Sequence, residues 1–135
     1  MSNIREVKEA LKILIKFGKS KSQITVLHCT SDFPAAIGDI NLNAMQTLQK
    51  SLNLPVGYSD HSLGKDVAIG AVALGAKIIE RHITLDRANW GTDQAASLSE
   101  TGIEQLTTLL RKIPLTLGDG EKKFLLGEKK VSSKM

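Results

Sequence analysis

Three short apolar runs, each with a histidine at its end, alternate along this chain with segments of helical period. The runs span residues 24–28, 55–61 and 77–82. Short strand-like runs that alternate with helices predict a parallel sheet in an α/β fold. In a parallel sheet the carboxyl ends of neighbouring strands lie at one edge, where α/β proteins place their functional groups. The sequence therefore predicts His28, His61 and His82 at the ends of three adjacent strands.

Four segments carry apolar residues at the spacing of a helix. They are residues 4–17, 41–52, 65–74 and 99–113. Ser2 or Asn3 is expected to cap the first helix, and Gly75 is expected to end the third. Residues 118–135 have no such period and little to bury, so we predict a flexible tail or linker there.

The composition limits the class of protein. With 135 residues, 41% hydrophobic and 24% charged, the chain is expected to form one soluble domain. No apolar run is long enough for a membrane span or a signal peptide, and a single cysteine fits a reducing compartment, which together predict a cytoplasmic protein. The net charge of +4 comes mainly from lysines near the two ends, and 4% aromatic residues offer little to stack on bases, so nucleic acid is not an expected partner.

The number of strands is too small for a complete α/β sheet. The chain begins on a predicted helix and offers three strands, which leaves both edges of a parallel sheet without a neighbour. Parallel sheets are normally covered on both faces and protected at their edges. We therefore expect the three strands to be part of a larger sheet.

His61 and His82 are the candidate functional pair in this arrangement. Two imidazoles at neighbouring strand ends can share one divalent metal, with carboxylates or waters as the other ligands. Polar strand ends with a structural role are the alternative. A catalytic pair of Cys29 and its neighbour His28 is not expected, because adjacent residues of a strand point to opposite faces.

Four segments of the sequence resemble one enzyme family. They are LHCTSDFP (27–34), PVGYSDHSLG (55–64), AVALGAKIIERHITLDR (71–87) and GTDQAASL (91–98). In order and spacing they resemble the sialic acid synthases, which include N-acetylneuraminate and legionaminate synthases. Members of that family are (β/α)8 barrels followed by a small antifreeze-like domain. The resemblance implies a partial TIM (β/α)8 barrel here, namely its last three β/α units in residues 1–117, followed by a linker or tail in residues 118–135.

The resemblance also implies a reaction. Such enzymes condense phosphoenolpyruvate with the open-chain aldehyde of an N-acylmannosamine-type sugar, giving a nonulosonic acid and phosphate. A divalent metal, Mn²⁺ or Mg²⁺, polarises the aldehyde oxygen. His61 in the SDH string and His82 in the ERH string match the family's metal ligands and are therefore the expected catalytic residues. Glu80 points to the same side as His82 and is expected to support the metal or its water.

Four further positions are implied to meet the substrates. Ser59 matches a residue that contacts phosphoenolpyruvate, and Asp93 matches a carboxylate that binds hydroxyls of the acceptor sugar. Ser31 and Phe33 fall where family members carry residues near the substrates. Phe33 lacks the hydroxyl of the tyrosine that is common there. His28 is expected to pack or form a hydrogen bond in the barrel interior.

Three interpretations stay open at this point. The chain is a segment of a sialic acid synthase that is inactive alone, because the lysines and the carboxylate that hold phosphoenolpyruvate come from earlier strands. Alternatively, it is one half of a split barrel that associates with the missing half, or with further copies of itself as a homo-oligomer. The third interpretation is a non-catalytic α/β module that binds a sugar or a metal.

Overall fold

The computed structural model describes residues 1–132, which form an α/β fold with three strands and five α-helices. In chain order the elements are α1 (Ile4–Lys16), β1 (Val26–Cys29), α2 (Asn43–Leu52), β2 (Val56–Asp60), α3 (Asp66–Ala73), β3 (Ile79–Arg81), α4 (Glu100–Thr116) and α5 (Leu126–Ser132). Two short 3₁₀ helices, Lys21–Gln23 and Ile37–Asp39, lie in the loops on either side of β1. The predicted helices and strands are all found, with ends that shift by at most three residues.

The three strands form one parallel sheet in the order β1, β2, β3. In the register, Cys29 lies opposite Ser59, and Ser59 lies opposite Glu80. At the end of the sheet Asp60 lies opposite Arg81. A helix connects each strand to the next, as the right-handed crossover between parallel strands requires. This confirms the predicted α/β class and the parallel pairing.

The hydrophobic core lies on one face of the sheet. Val56 and Tyr58 point from β2 toward α2 and α3, where they meet Met45 and Ala71. A second core cluster joins α3 to α4 through Ala68, Leu98 and Leu106. Tyr58 and Leu106 are each 1% exposed, so these two side chains are the best buried large groups of the core.

The other face of the sheet carries the residues that alternate with the core. They are Leu27, Cys29, Gly57, Ser59 and Glu80, and none of them belongs to a core cluster of residues 1–132. We call this surface the open face. Because neighbouring strand residues alternate between faces, the residues that follow β2 and β3 continue this surface.

Helix α1 makes little contact with the rest of the fold. Asn3 caps it: the Asn3 side chain accepts hydrogen bonds from the backbone of Arg5 and Glu6, and Glu6 accepts one from the Asn3 backbone. None of the residues Ile4–Lys16 is buried. Several of its apolar side chains are exposed, among them Ile13 at 56% and, just past the helix, Phe17 at 79%. Much of the apolar stripe that identified the helix is therefore left uncovered by the described chain.

The structure differs from the predictions mainly toward the C-terminus. Helix α4 continues through Pro114 to Thr116, because a proline near the end of a helix removes only one backbone hydrogen bond. The segment predicted as a flexible tail contains α5, whose start is stabilised by a 2.7 Å hydrogen bond from the Leu125 backbone to Glu128. The last three residues of that segment lie outside the described residues. Among residues 1–132, no helix is both long and apolar enough to span a membrane.

Candidate active site

His61 and His82 lie side by side at the carboxyl ends of β2 and β3. Their ring centroids are 4.9 Å apart, and the ring planes meet at 82°. Asp60 lies opposite Arg81 in the last register pair of β2 and β3, and each of them is followed directly by one of the histidines. The two histidines therefore lie at neighbouring strand ends. The structure thus brings together the two residues that the sequence predicted as a pair.

Phe33 packs against both imidazoles. Its ring stacks on His82 at 4.1 Å between centroids and meets His61 edge to face at 5.3 Å. Offset-stacked and edge-to-face geometries are the favourable ones for such rings, so this packing restrains the orientation of both histidines. Phe33 reaches the two histidines from the loop after β1.

Hydrogen bonding defines the tautomer of His61. Its Nδ1 lies 3.2 Å from the backbone carbonyl of Asp32. A carbonyl oxygen only accepts, so Nδ1 carries a proton, and in the neutral ring Nε2 then keeps its lone pair. The backbone N–H of Ala35 also donates to the His61 carbonyl at 2.8 Å, which ties the loop after β1 to the end of β2. His61 is therefore held with its Nε2 on the open face.

The Cys29 thiol lies close to His61 Nε2. The Cys29 Sγ is 3.8 Å from His61 Nε2. This contact was missed by the sequence analysis, which considered Cys29 only with its neighbour His28. The parallel register could have indicated this contact. Cys29 lies opposite Ser59, and His61, two residues after Ser59, points to the same face.

His28 is not part of this cluster. It lies in β1 but faces the helix-covered side, where its ring nitrogen Nε2 lies 2.7 Å from the Ile40 carbonyl and its ring lies 5.9 Å from that of Tyr58. The expected hydrogen bond exists, but on the face opposite to the one that the barrel interpretation assigned. The alternation of side chains along β1 accounts for this, since Cys29 takes the open face.

Ser59 and Glu80 form a hydrogen bond across β2 and β3. The Ser59 hydroxyl donates to Glu80 Oε1 at 2.7 Å. Ser59 is 5% exposed, so this hydroxyl has little access to water in the described chain. Glu80 was expected to support a metal or its water. In the structure its carboxylate accepts the hydrogen bond of Ser59.

Asp93 and Ser31 lie in the loops around the histidines. The Asp93 Oδ2 is 3.7 Å from His82 Nδ1, with 51% of the Asp93 side chain exposed. Its second oxygen accepts a hydrogen bond from Thr92 at 2.8 Å. Ser31 is exposed in the loop after β1. Of these two predicted substrate residues, the structure brings Asp93 to the histidine pair.

Behind the histidines, Asp60 and Arg81 form an ion pair on the helix-covered face. Arg81 Nη1 lies 2.6 Å from Asp60 Oδ2, and the two side chains are 2% and 0% exposed. The Asp60 Oδ1 accepts hydrogen bonds from the Ser62 backbone at 2.9 Å and from the Ser62 hydroxyl at 2.7 Å. The alternation of side chains along β2 places Asp60 on this face, opposite Ser59 and His61, and its partner Arg81 was missed from the sequence.

The donor set fits a divalent metal with few protein ligands. His61 bonds to a carbonyl through Nδ1, the usual arrangement of a metal-binding histidine, and among the described residues its Nε2 meets only the Cys29 thiol, which is a weak donor. Within residues 1–132 no group of three or more histidine, cysteine, aspartate or glutamate side chains has the geometry to hold a metal ion. The chain therefore offers two imidazoles, and water or substrate oxygens would have to supply the other ligands.

Comparisons with known proteins agree on one family. The model of the NeuB family matches residues 1–122. The chain is 45% identical over 130 residues to N,N'-diacetyllegionaminic acid synthase of Campylobacter jejuni, covering 96% of this chain and 39% of that protein. It is 39% identical over 110 residues to human N-acetylneuraminate-9-phosphate synthase, covering 81% of this chain and 31% of that protein.

A solved structure agrees with these relatives. The N-acetylneuraminic acid (sialic acid) synthetase of Leptospira borgpetersenii superposes with a TM-score of 0.81 and 36% identity, covering 99% of this chain and 46% of that one. The chain thus spans two fifths or less of the length of the two curated relatives above. On the match over residues 1–122, the chain belongs to the NeuB family.

Proposed function

We propose that this chain is part of a nonulosonic acid synthase, which condenses phosphoenolpyruvate with an N-acylmannosamine-type sugar to give a nonulosonate and phosphate. The names of the relatives support it, since they are synthases of legionaminic acid and of N-acetylneuraminate 9-phosphate. The observation that carries the proposal is the pairing of His61 and His82 at 4.9 Å, at the ends of adjacent parallel strands.

We further infer that the three strands are the last three of a (β/α)8 barrel. The open face carries polar side chains such as Ser59 and Glu80, which a barrel would enclose. Strands β1 and β3 each pair with β2 alone in the described sheet, and α1 leaves its apolar side chains exposed. Further β/α units on both sides would cover these surfaces.

His61 and His82 are the residues that would hold a divalent metal, Mn²⁺ or Mg²⁺, in this proposal. The bound metal would act as a Lewis acid that polarises the acceptor aldehyde. The chain's own contribution is orientation. The Asp32 carbonyl keeps the proton of His61 on Nδ1, and Phe33 restrains the planes of both rings.

Ser59 and Asp93 are the proposed contacts to the two substrates. The Ser59 hydroxyl has one proton, which it now donates to Glu80. A phosphate or carboxylate oxygen of phosphoenolpyruvate is also an acceptor, so binding would turn this hydroxyl from Glu80 to the substrate. Asp93, half exposed beside His82, is placed to accept hydrogen bonds from sugar hydroxyls. Ser31 and Phe33 are the other two residues that we propose to lie near the substrates.

The isolated chain is proposed to be inactive in condensation. It spans 39% of the length of the Campylobacter jejuni synthase, and two imidazoles, one serine and one exposed carboxylate do not neutralise the charge of phosphoenolpyruvate. One half of a split barrel is the second candidate. The exposed apolar side chains of α1 favour that candidate over a self-sufficient sugar- or metal-binding module, which would be expected to cover them.

Manganese binding tests the proposed histidine pair. Calorimetric titration of the chain with MnCl₂ should show one site, and the double variant His61→Ala/His82→Ala should lose it. The matched control is His28→Ala, because His28 faces the helix-covered side and should leave the affinity unchanged. Undiminished binding by the double variant would show that these imidazoles are not the ligands.

A further inference from the structure

We propose that the buried Asp60–Arg81 ion pair is a positioning device that sets the distance and orientation of His61 and His82. This inference rests on the proposed function, in which the two imidazoles share a metal. Asp60 and Arg81 touch no reacting atom in this arrangement. They act through the backbone of the residues that follow them.

The sequence places each charged residue directly before one histidine. Asp60 lies opposite Arg81 in the last register pair of β2 and β3. Neighbouring residues of a strand point to opposite faces, so the ion pair lies on the helix-covered face and the imidazoles lie on the open face. The attraction between Asp60 and Arg81 nevertheless acts on the same two strand ends. The contact of 2.6 Å between Arg81 Nη1 and Asp60 Oδ2 therefore ties together the two strand ends that carry the imidazoles.

Ser62 extends this connection to the other side of His61. Asp60 Oδ1 accepts both the backbone N–H and the hydroxyl of Ser62, at 2.9 and 2.7 Å. Arg81 Nη1 donates to the Ser62 carbonyl at 2.9 Å. Ser62 is 0% exposed. The residues on both sides of His61 are thus tied to the residue before His82.

Stability alone is a poor reason for this pair. A buried ion pair contributes little more than a well-packed apolar pair would, because both charges lose their hydration. The Nε and Nη2 atoms of Arg81 are also buried without a hydrogen-bond partner among residues 1–132. Unsatisfied buried donors cost stability. A geometric role beside the histidines accounts for charged residues at a place where an apolar pair would often serve folding as well.

Nuclear Overhauser effects between the two imidazole rings test the inference without any metal. The wild-type chain should show cross-peaks between the ring protons of His61 and His82, since their centroids are 4.9 Å apart. Asp60→Asn and Arg81→Met should each reduce these cross-peaks by half or more. The control is Lys12→Met, which removes an exposed 2.8 Å ion pair with Glu9 far from the site and should change nothing.

Folding is separated from positioning by a double variant. Asp60→Leu/Arg81→Met replaces the ion pair with apolar groups, an exchange that buried pairs often tolerate. Its circular dichroism should match that of the wild type while the cross-peaks between the imidazoles are lost. Its affinity for Mn²⁺ should fall by about 10- to 100-fold, the usual effect of removing a group that orients metal ligands.

The outcomes distinguish this inference from the proposed function. Cross-peaks without Mn²⁺ binding in the wild type would remove the metal proposal and leave the positioning role in place. A folded double variant that keeps the cross-peaks would overturn the positioning role, whatever the metal does. If every substitution at Asp60 and Arg81 unfolds the chain, the pair serves stability and the inference is overturned as well.

Discussion

Gly57 is the residue at which the sheet leaves least room for a side chain. A Cβ at this position would lie 2.5 Å from the Ile78 carbonyl oxygen and 2.6 Å from Leu27 Cδ2. The carbonyl cannot retreat easily, because it accepts the backbone N–H of Tyr58 at 2.9 Å. Gly57→Ala should therefore force the two strands to shift and lower the free energy of unfolding by about 1–3 kcal/mol, the usual cost of overpacking. Urea unfolding measures this loss.

Gly38→Ala is the control for that measurement. A Cβ at Gly38 would have nothing within 4 Å, and the residue is exposed. The free energy of unfolding should change by no more than about 0.5 kcal/mol. If both variants lost the same free energy of unfolding, the close contacts of a Cβ at position 57 would not be the cause of the loss.

Tyr58 predicts how stability responds to alkaline pH. Burial, with the nearby charge of Asp60, raises the pKa of the Tyr58 phenol above its ordinary value of 10.0. Above pH 10 the unfolded chain loses this proton while the folded chain keeps it, so the free energy of unfolding should fall as the pH rises. Each pH unit above the ordinary pKa costs about 1.4 kcal/mol for one such group.

Thermal unfolding between pH 8 and pH 11 measures this dependence, with Tyr58→Phe as the comparison. The phenylalanine variant has no phenol to ionise, so its melting temperature should fall less steeply above pH 10. All other residues are the same in the two proteins, so the difference between their curves isolates the phenol. Parallel curves for the two proteins would contradict the raised pKa of Tyr58.

At the scale of elements, the sequence predicted the helices and strands well because their signals are local. The period of apolar residues locates α1 to within one residue of its end, and Asn3 at its start is one of the two caps that were expected. The end of α4 was misplaced because Pro114 is a local stop signal that a final turn can tolerate. Helix α5 was missed because the side chains described for it are exposed and impose no apolar period.

Helix α1 should be the least stable of the helices that the sequence predicted. None of its residues is buried, whereas α3 buries Ala68 and Ala71. Isolated helices of this length are marginal in water, and a capping box adds only about 1 kcal/mol. Hydrogen–deuterium exchange should therefore show rapid exchange in α1 and protection in α3. Equal protection would show that α1 packs on a surface of the chain that the structure does not indicate.

At the scale of the molecule, the site was predictable where it follows from topology. Parallel pairing of two strands that both end in histidine is enough to bring His61 and His82 together. The contacts that orient them were not predictable, because they depend on long-range geometry. Phe33 arrives from a separate loop, and the Asp60–Arg81 pair requires the register of β2 and β3.

The proposal that the three strands belong to a larger barrel leads to a prediction about activity. The chain covers 39% of the Campylobacter jejuni synthase, so the part of that relative outside the matched region should supply the missing surfaces. The chain alone should form no nonulosonate from phosphoenolpyruvate and an N-acyl amino sugar. Co-expression with that part should restore product and the release of phosphate, because the open face would then be enclosed.

The His61→Ala chain is the matched control in this complementation. It keeps the surfaces that must pair, so it should copurify with the added part as the unchanged chain does, yet yield at least 100-fold less product, because removing a metal ligand removes most of the Lewis-acid contribution. Phosphate release and product are measured on the same copurified samples. Product from the unchanged chain alone would show that it needs no further strands, and equal product from the His61→Ala assembly would show that His61 is not catalytic.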